Sequence, residues 1–355
     1  MIRESGPKPL TCVASTKPAD PGENYMQDVS SHGAMRGLRV LVLTNMYPSP
    51  TRPIHGTFVA EQVDSLRQRG LHIDVLFVDG PASRWNYLRG VGQLRRILRT
   101  PYDLIHAHYV FCGVIALMQR RLPVVVTHHG IEAQIGWTAP LCRAVSRAAQ
   151  ATIATSTRVA RGLALSEVTL LPCGVNVTLF APMPQVEARA ALGLPVATPL
   201  VLFVGTPRPE KRLSLIEKAV DQLRQRVPDV RLLAVHNAPR EQIPLYMNAC
   251  DVLVLASVAE GAPMVVREAL ACNLPLVSTD VGDVRELCAD LPGHFIAAAD
   301  ATDLAAKLQQ AITFGSRTHG REAILPWSLE RVAERVQQVY QNALPQQRHS
   351  TGAYI

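Results

Sequence analysis

The chain has 355 residues, 48% of them apolar and 18% charged, with a net charge of +7 and an isoelectric point near 9.2. That length and apolar content suit two domains with full cores, and no apolar run reaches the roughly 18–20 residues that a membrane-crossing helix needs. The positive balance asks for an anionic partner, which could be nucleic acid, an anionic membrane face or phosphorylated sugars; 5% aromatics and the lack of zinc-finger, RNP-type or basic-zipper patterns argue against nucleic acid.

Residues 1–36 mix Pro, Gly, Ser and charge without periodicity, so they read as a disordered tail or a mis-assigned start. They lack the apolar core of a secretory signal, and the expected location is the cytoplasm. Seven scattered cysteines (12, 112, 142, 173, 250, 272 and 288), never spaced as CxxC, point to reduced thiols rather than to a disulfide framework or a zinc site. From Leu38 onward apolar strands alternate with helical stretches: LRVLVLTN, a helix over about 57–69, HIDVLFV, DLIHAH, a helix to about Arg120, PVVVTH and ATIATS. That alternation predicts a doubly wound parallel sheet. Residues 181–199 follow as a link whose prolines interrupt regular structure. A second series then runs PLVLFVG, a helix over about 213–226, DVRLLAV, a helix near 243–250, DVLVLA, a helix carrying Glu268, and LPLVSTD. The fold class is therefore α/β, with two Rossmann-like doubly wound domains over 37–182 and 195–327 and a cleft between them as the default ligand site.

The segment SVAEGAPMVVREAL (257–270) carries the most chemistry. DVLVLA reads as a buried strand, Glu260 and Gly261 lie on the turn beyond its carboxyl end, and Pro263 suits the first helical position. Glu268, four residues past Met264, leans back toward the helix N-terminus, where free backbone N–H groups gather. Two acceptor-only carboxylates beside a positive helix end suit a sugar joined to phosphate, although an isolated pair also fits a solvated loop acid and a dipole-stabilising helix acid.

Other segments add to it. FVGTPRPEKR joins a strand to a helix through Arg208, Lys211 and Arg212, either a phosphate cradle or a solvated basic helix start. TNMYPSPTRPIHGTFVAEQVDSL places Gly56 just ahead of a helix, where it either lets backbone approach a ligand or caps the helix. His106, His108, His128 and His129 end predicted strands, with no third ligand for a metal, and the first three read as structural histidines. RWNYLRGVGQLRRILRT (84–100) holds Arg84, Arg89, Arg95, Arg96 and Arg99 with no acid, and Trp85, Leu88, Val91, Leu94 and Leu98 at helical spacing. It reads as a membrane-surface helix or as an amphipathic helix packed on the first domain.

With these motifs the chain resembles the retaining glycosyltransferases of family 4, which have the GT-B fold, from about residue 38 to about residue 339. The resemblance implies that Glu260 meets the hydroxyls of the donor sugar, that Glu268 meets the ribose hydroxyls, and that Gly261, Ala262, Pro263 and Met264 line the donor at the helix start. Lys211 matches a family lysine set five positions after an arginine; Thr206 stands where that arginine would be, leaving Arg208 or Arg212 to substitute. Gly56 matches a glycine loop that faces the donor phosphate or the acceptor. HHGIE resembles a His-Gly-x-acid element at His129, Gly130, Ile131 and Glu132, with His129 near the donor sugar. LLPCGVNVTLF resembles a Pro-Asn-Gly-Val-Asp element, with Cys173 and Asn176 as departures, and VSTDVGDVREL a glycine turn in which Gly282 and Glu286 match and Asp283 replaces a common glycine. A last helix over 328–345 returns to the first domain.

The implied activity moves a sugar from a nucleoside diphosphate sugar to a glycan or lipid-linked acceptor in cell-surface polysaccharide or glycolipid synthesis. His129, Lys211, Arg208 and Glu260 take the catalytic roles, and Gly56, Lys211, Arg212, Gly261 to Met264 and Glu268 hold the donor. No DxD element is present, so neither a metal nor another cofactor is expected. The expected partners are the donor, the acceptor and an anionic membrane face, without nucleic acid. Two alternatives stay open: a nucleotide-sugar epimerase on the same scaffold, and a catalytically silent nucleotide-binding scaffold protein.

Overall fold

Strands in this chain gather into two parallel sheets, seen in a computed structural model that describes residues 37–80, 82–133 and 136–345. The tail expected over 1–36 lies outside the described residues. The first sheet is wound from β1 (Arg39–Thr44), α1 (Thr57–Gln68), β2 (His72–Phe77), α2 (Trp85–Ile97), β3 (Leu104–His108), α3 (Val110–Leu117), β4 (Val124–His128), α4 (Thr138–Ala148), β5 (Ala151–Ala154), α5 (Thr157–Leu163) and β6 (Thr169–Leu170). Its order is β2-β1-β3-β4-β5-β6. β3 (LIHAH) and β4 (VVVTH) are buried along their whole length because helices cover both faces, so neither presents an alternating polar face to solvent, and the polar side chains that enter, His106, His108, Thr127 and His128, are themselves buried.

The second unit follows as α6 (Gln185–Leu192), β7 (Leu200–Val204), α7 (Leu213–Leu223), β8 (Arg231–Val235), α8 (Ile243–Ala249), β9 (Val252–Leu255), α9 (Met264–Ala271), β10 (Leu276–Thr279), α10 (Val284–Cys288), β11 (His294–Ala297), α11 (Ala301–Phe314), α12 (Gly320–Ile324) and α13 (Leu329–Ala343). This sheet runs β11-β10-β9-β7-β8. Strand order reverses between β1 and β3 in one sheet and between β7 and β9 in the other, and carboxyl ends at such reversals are where open α/β sheets form their binding crevice. The Gly56 loop follows β1, the Lys211 loop follows β7, and the Glu260 loop follows β9.

The chain crosses between the two units twice, side by side. Val175 donates to the Trp327 carbonyl (2.9 Å) and accepts from Leu329 N–H (3.0 Å), so the two crossings brace each other. Beyond the second crossing α13, capped by the Ser328 hydroxyl on Arg331 N–H, packs Val332, Val336 and Tyr340 against Val59, Val63 and Leu66 of α1. Several features differ from the sequence reading. The link is not free of regular structure: α6 forms between Pro184 and Gly193, whose φ of 64° ends it, and its Arg189 is buried, bonding to the Ala249 carbonyl and to Asp251. β11, the four-residue edge strand HFIA, and α11, which starts on an Asp300 cap and buries Leu304, Ala305, Leu308 and Ala311, extend the second unit beyond the elements read from the sequence. Pro263 is the cap residue ahead of α9 rather than its first helical position. No helix among the described residues is long and apolar enough to cross a membrane.

Candidate functional site

The loop after β7 turns through Gly205 (φ 144°) into a short 3₁₀ turn at Pro209–Lys211, and the Glu210 carbonyl accepts from Val258 N–H at 2.8 Å. That bond sets the two strand-end loops side by side. Lys211 Nζ donates to Glu260 Oε1 at 2.5 Å, with both side chains 17% exposed. Arg212 follows in the left-handed region (φ 51°), a conformation that costs an L side chain about 1–2 kcal/mol. It lines a depression of about 470 Å³ along the ends of β9, β10 and β11, together with Ser257, Thr279, Asp280 and Arg285. Arg208 is exposed and pairs with Glu210 at 3.1 Å.

Glu268 sits in α9 where the sequence placed it, but it is buried and already partnered. Arg240, on the loop beyond β8, donates from Nη1 to Glu268 Oε1 at 2.8 Å and from Nε and Nη2 to the two Glu61 oxygens at 2.6 and 2.9 Å. Its guanidinium carbon lies 5.0 Å from the centre of the Phe180 ring. Burial raises the Glu268 pKa above the usual carboxylate range, against the opposing pull of Arg240. Because Glu61 belongs to α1, this carboxylate–guanidinium–carboxylate bridge ties the second sheet to the first. Sequence reasoning named neither Glu61 nor Arg240; the signal available was a lone arginine after Pro239 at a strand carboxyl end.

On the first lobe, β4 delivers His129 with both ring nitrogens engaged. Nε2 lies 2.8 Å from His108 Nδ1 and Nδ1 lies 3.5 Å from Cys173 Sγ, and the two imidazoles stack with 14° between their planes. Burial and the neighbouring His108 and His128 hold His129 well below the ordinary histidine range, so it is neutral at neutral pH. The Glu132 carboxylate accepts His129 N–H at 3.0 Å and fixes the loop. His106, bonded to Tyr340 (2.8 Å) and Thr127 (2.7 Å), and His128, bonded to Ser146 (2.9 Å), are buried structural groups.

The lobes touch where His129 meets Gly261. A Cβ on Gly261 would lie 1.7 Å from the His129 carbonyl oxygen, and a Cβ on Gly282 (φ 58°) would lie 2.6 Å from the Gly261 oxygen, so three backbone layers stack with no room for side chains. Through this contact the structure brings Lys211, Glu260, Gly261 and His129 together, with Ala262, Pro263 and Met264 leading into α9. Gly56 (φ 71°) caps α1, and a Cβ there would meet the Met46 backbone at 2.3 Å. Two departures from the family pattern also find partners: Cys173 faces His129, and Asp283 pairs with Arg267, which is only 2% exposed. Among the described residues no three His, Cys, Asp or Glu side chains cluster as a metal would need.

Known proteins fit this arrangement. The family described as Glycosyltransferase Family 4 matches residues 22–178, and the family described as Glycosyl transferases group 1 matches residues 234–319. A Bacillus subtilis glycosyltransferase named for teichuronic acid biosynthesis is 26% identical over 322 residues, covering 70% of this chain and 83% of that protein. Sucrose-phosphate synthase from Thermosynechococcus elongatus superposes with a TM-score of 0.73 at 19% identity, over 86% of this chain and 98% of that one. Anabaena HepE in complex with UDP superposes with a TM-score of 0.64 at 18% identity, over 86% and 100%. With two doubly wound sheets facing across a cleft in the GT-B arrangement and a family match on each half, the chain belongs to glycosyltransferase family 4 and is a sugar-transferring enzyme.

Proposed function

We propose that the enzyme moves a sugar from a nucleoside diphosphate sugar to a hydroxyl of a glycan or lipid-linked acceptor, with retention of anomeric configuration, in the building of cell-surface polysaccharide or glycolipid. The observation that carries this is the Lys211–Glu260 pair in the very loop whose Gly261 meets the His129 carbonyl across the cleft. Each acid keeps capacity for a ligand. Among the described residues Lys211 engages only Oε1 of Glu260, and Arg240 only Oε1 of Glu268, so both Oε2 atoms can accept a sugar or ribose hydroxyl.

In this proposal Glu268 holds the ribose, and the diphosphate lies against Lys211, Arg208 or Arg212 and the N-terminus of α9. The bond from the anomeric carbon to the phosphate oxygen breaks, the acceptor oxygen bonds to that carbon on the same face, and the acceptor proton passes to the departing phosphate oxygen. Charge that builds on the leaving phosphate is met by Lys211. His129, neutral and held at both nitrogens, orients the sugar rather than acting as a base. No metal takes part. The likeness to a UDP complex makes UDP-sugars the first donors to screen by thermal stabilisation, where a ligand at a hundred times its Kd adds about 2.7 kcal/mol. The product of the stabilising donor is then read by proton NMR: a retained anomeric centre supports the proposal, and an inverted one overturns it.

A further inference from the structure

The face of the first lobe formed by α2, α3 and the start of α4 combines two features that water disfavours together. On α2 the positions 85, 88, 89, 92, 95 and 96 recur every three or four residues and so share one side, with Gly90 and Leu94 buried on the other and Arg99 on the turn just past the helix end. That side and the turn expose Trp85 (71%) and Leu88 (64%) among Arg89, Arg95, Arg96 and Arg99. Trp137 is 70% exposed beside it, linked to α2 through Phe111, 5.8 Å away, and Tyr87, 5.1 Å further on. At the far end of α3 Met118 is 57% exposed, followed by exposed Arg120 and Arg121. Among the described residues the guanidiniums of Arg84, Arg89, Arg95, Arg96, Arg99, Arg120 and Arg121 have no ion-pair or hydrogen-bond partner, whereas those of Arg158 and Arg240, which pair with acids of the facing lobe, do.

We propose that this face docks the enzyme onto an anionic lipid bilayer. Tryptophan and leucine side chains gain by entering the headgroup boundary, and unpaired guanidiniums gain by meeting lipid phosphates, so the surface that supplies both removes both costs at once. Leu88 and Met118, exposed beside the tryptophans, favour a lipid surface over nucleic acid, because a headgroup boundary takes up scattered apolar side chains whereas a phosphate backbone offers them no apolar phase. Trp85 and Trp137 follow the carboxyl ends of β2 and β4, the end of the sheet that faces the cleft, so a docked enzyme opens its cleft beside the membrane. The proposal is independent of how the donor binds.

The test is flotation of the full chain with vesicles of phosphatidylglycerol and phosphatidylcholine, against vesicles of phosphatidylcholine alone, together with tryptophan quenching by brominated phosphatidylcholine in the anionic vesicles. Binding to the anionic vesicles is expected at low salt, weakening as salt rises. Replacing Arg95, Arg96 and Arg99 together by Gln lowers partitioning on the order of a hundredfold, since each basic residue near such a surface contributes about 1 kcal/mol. Quenching belongs to Trp85 and Trp137, so the pair W85F and W137F removes it and leaves Trp327, on the other side of the sheet against Arg335, unquenched. Flotation without quenching, flotation unaltered by the triple arginine variant, or displacement of the protein from vesicles by single-stranded RNA of equal charge would each overturn the proposal.

Discussion

Removing the Arg240 guanidinium tests the bridge between the lobes most directly. In Arg240→Ala, Glu61 and Glu268 are left facing each other with side chains only 16% and 6% exposed and no cation between them. Deleting one partner of a buried ion pair costs about 3–5 kcal/mol, because the remaining charge stays desolvated. The loss has a defined pH dependence. Burial already raises the Glu268 pKa above that of a free glutamate, and without Arg240 it rises further. A carboxylate whose folded pKa is raised binds more protons folded than unfolded, so stability falls as pH climbs from the unfolded value through the folded one and levels off above it. The deficit of the variant is therefore smallest near pH 4.5 and grows toward neutral pH. Urea unfolding of wild type and variant at pH 5, 6, 7 and 8 measures it, and Glu61→Gln added to Arg240→Ala recovers part of the loss at pH 8. A deficit below about 1 kcal/mol at pH 8, or one that does not change with pH, would refute the buried-bridge argument.

Other substitutions probe separate contacts. Gly261→Ala places a methyl 1.7 Å from the His129 carbonyl, so kcat/KM drops by two orders of magnitude or more while each lobe stays folded; small-angle scattering records the wider interlobe spacing, and an unchanged profile contradicts the contact. Lys211→Ala removes a cation beside the leaving phosphate and lowers kcat about 10²–10³-fold, read by single-turnover kinetics. Transfer continues undiminished in EDTA, and restoration by added Mg²⁺ would contradict the metal-free proposal. Asp283→Ala strands Arg267 in the core at 2% exposure and costs about 3–5 kcal/mol, which Arg267→Leu in the same chain offsets; circular dichroism melts report both.

What the sequence could and could not reveal follows from the range of each interaction. β1, β3, β4, β7, β9 and β10 were legible because burial on both faces writes a short, mainly apolar run, and α9 was legible because a strand, a glycine turn and a proline announce it locally. Glu260, Lys211 and His129 could be named because each sits within a few residues of such a strand end. β11 and α6 were not legible, the one too short to stand out and the other hidden by prolines that stop at its cap. Arg240 illustrates the harder limit. Its partners Glu61 and Glu268 lie 179 and 28 positions away, so nothing in its own neighbourhood marks it as the residue that neutralises two acids.

The same bridge bears on how donor binding and closure of the lobes are linked. Glu268 is at once the acid proposed for the ribose and the second-lobe end of the Glu61–Arg240 bridge, so a ligand that draws on Glu268 changes the strength of the contact across the cleft. If the ribose takes only the open Oε2, the bridge and the donor hold the closed form together, and nucleotide affinity falls in Arg240→Ala. If the ribose displaces Arg240 instead, the bridge competes with the donor, and nucleotide affinity rises in the same variant. The hydrogen bonding decides between these: Arg240 occupies a single Glu268 oxygen and grips Glu61 with two, so it can stay on Glu61 and share Glu268. Weaker nucleotide binding by Arg240→Ala in calorimetric titration is the expected result, and tighter binding would show that the bridge guards the empty cleft.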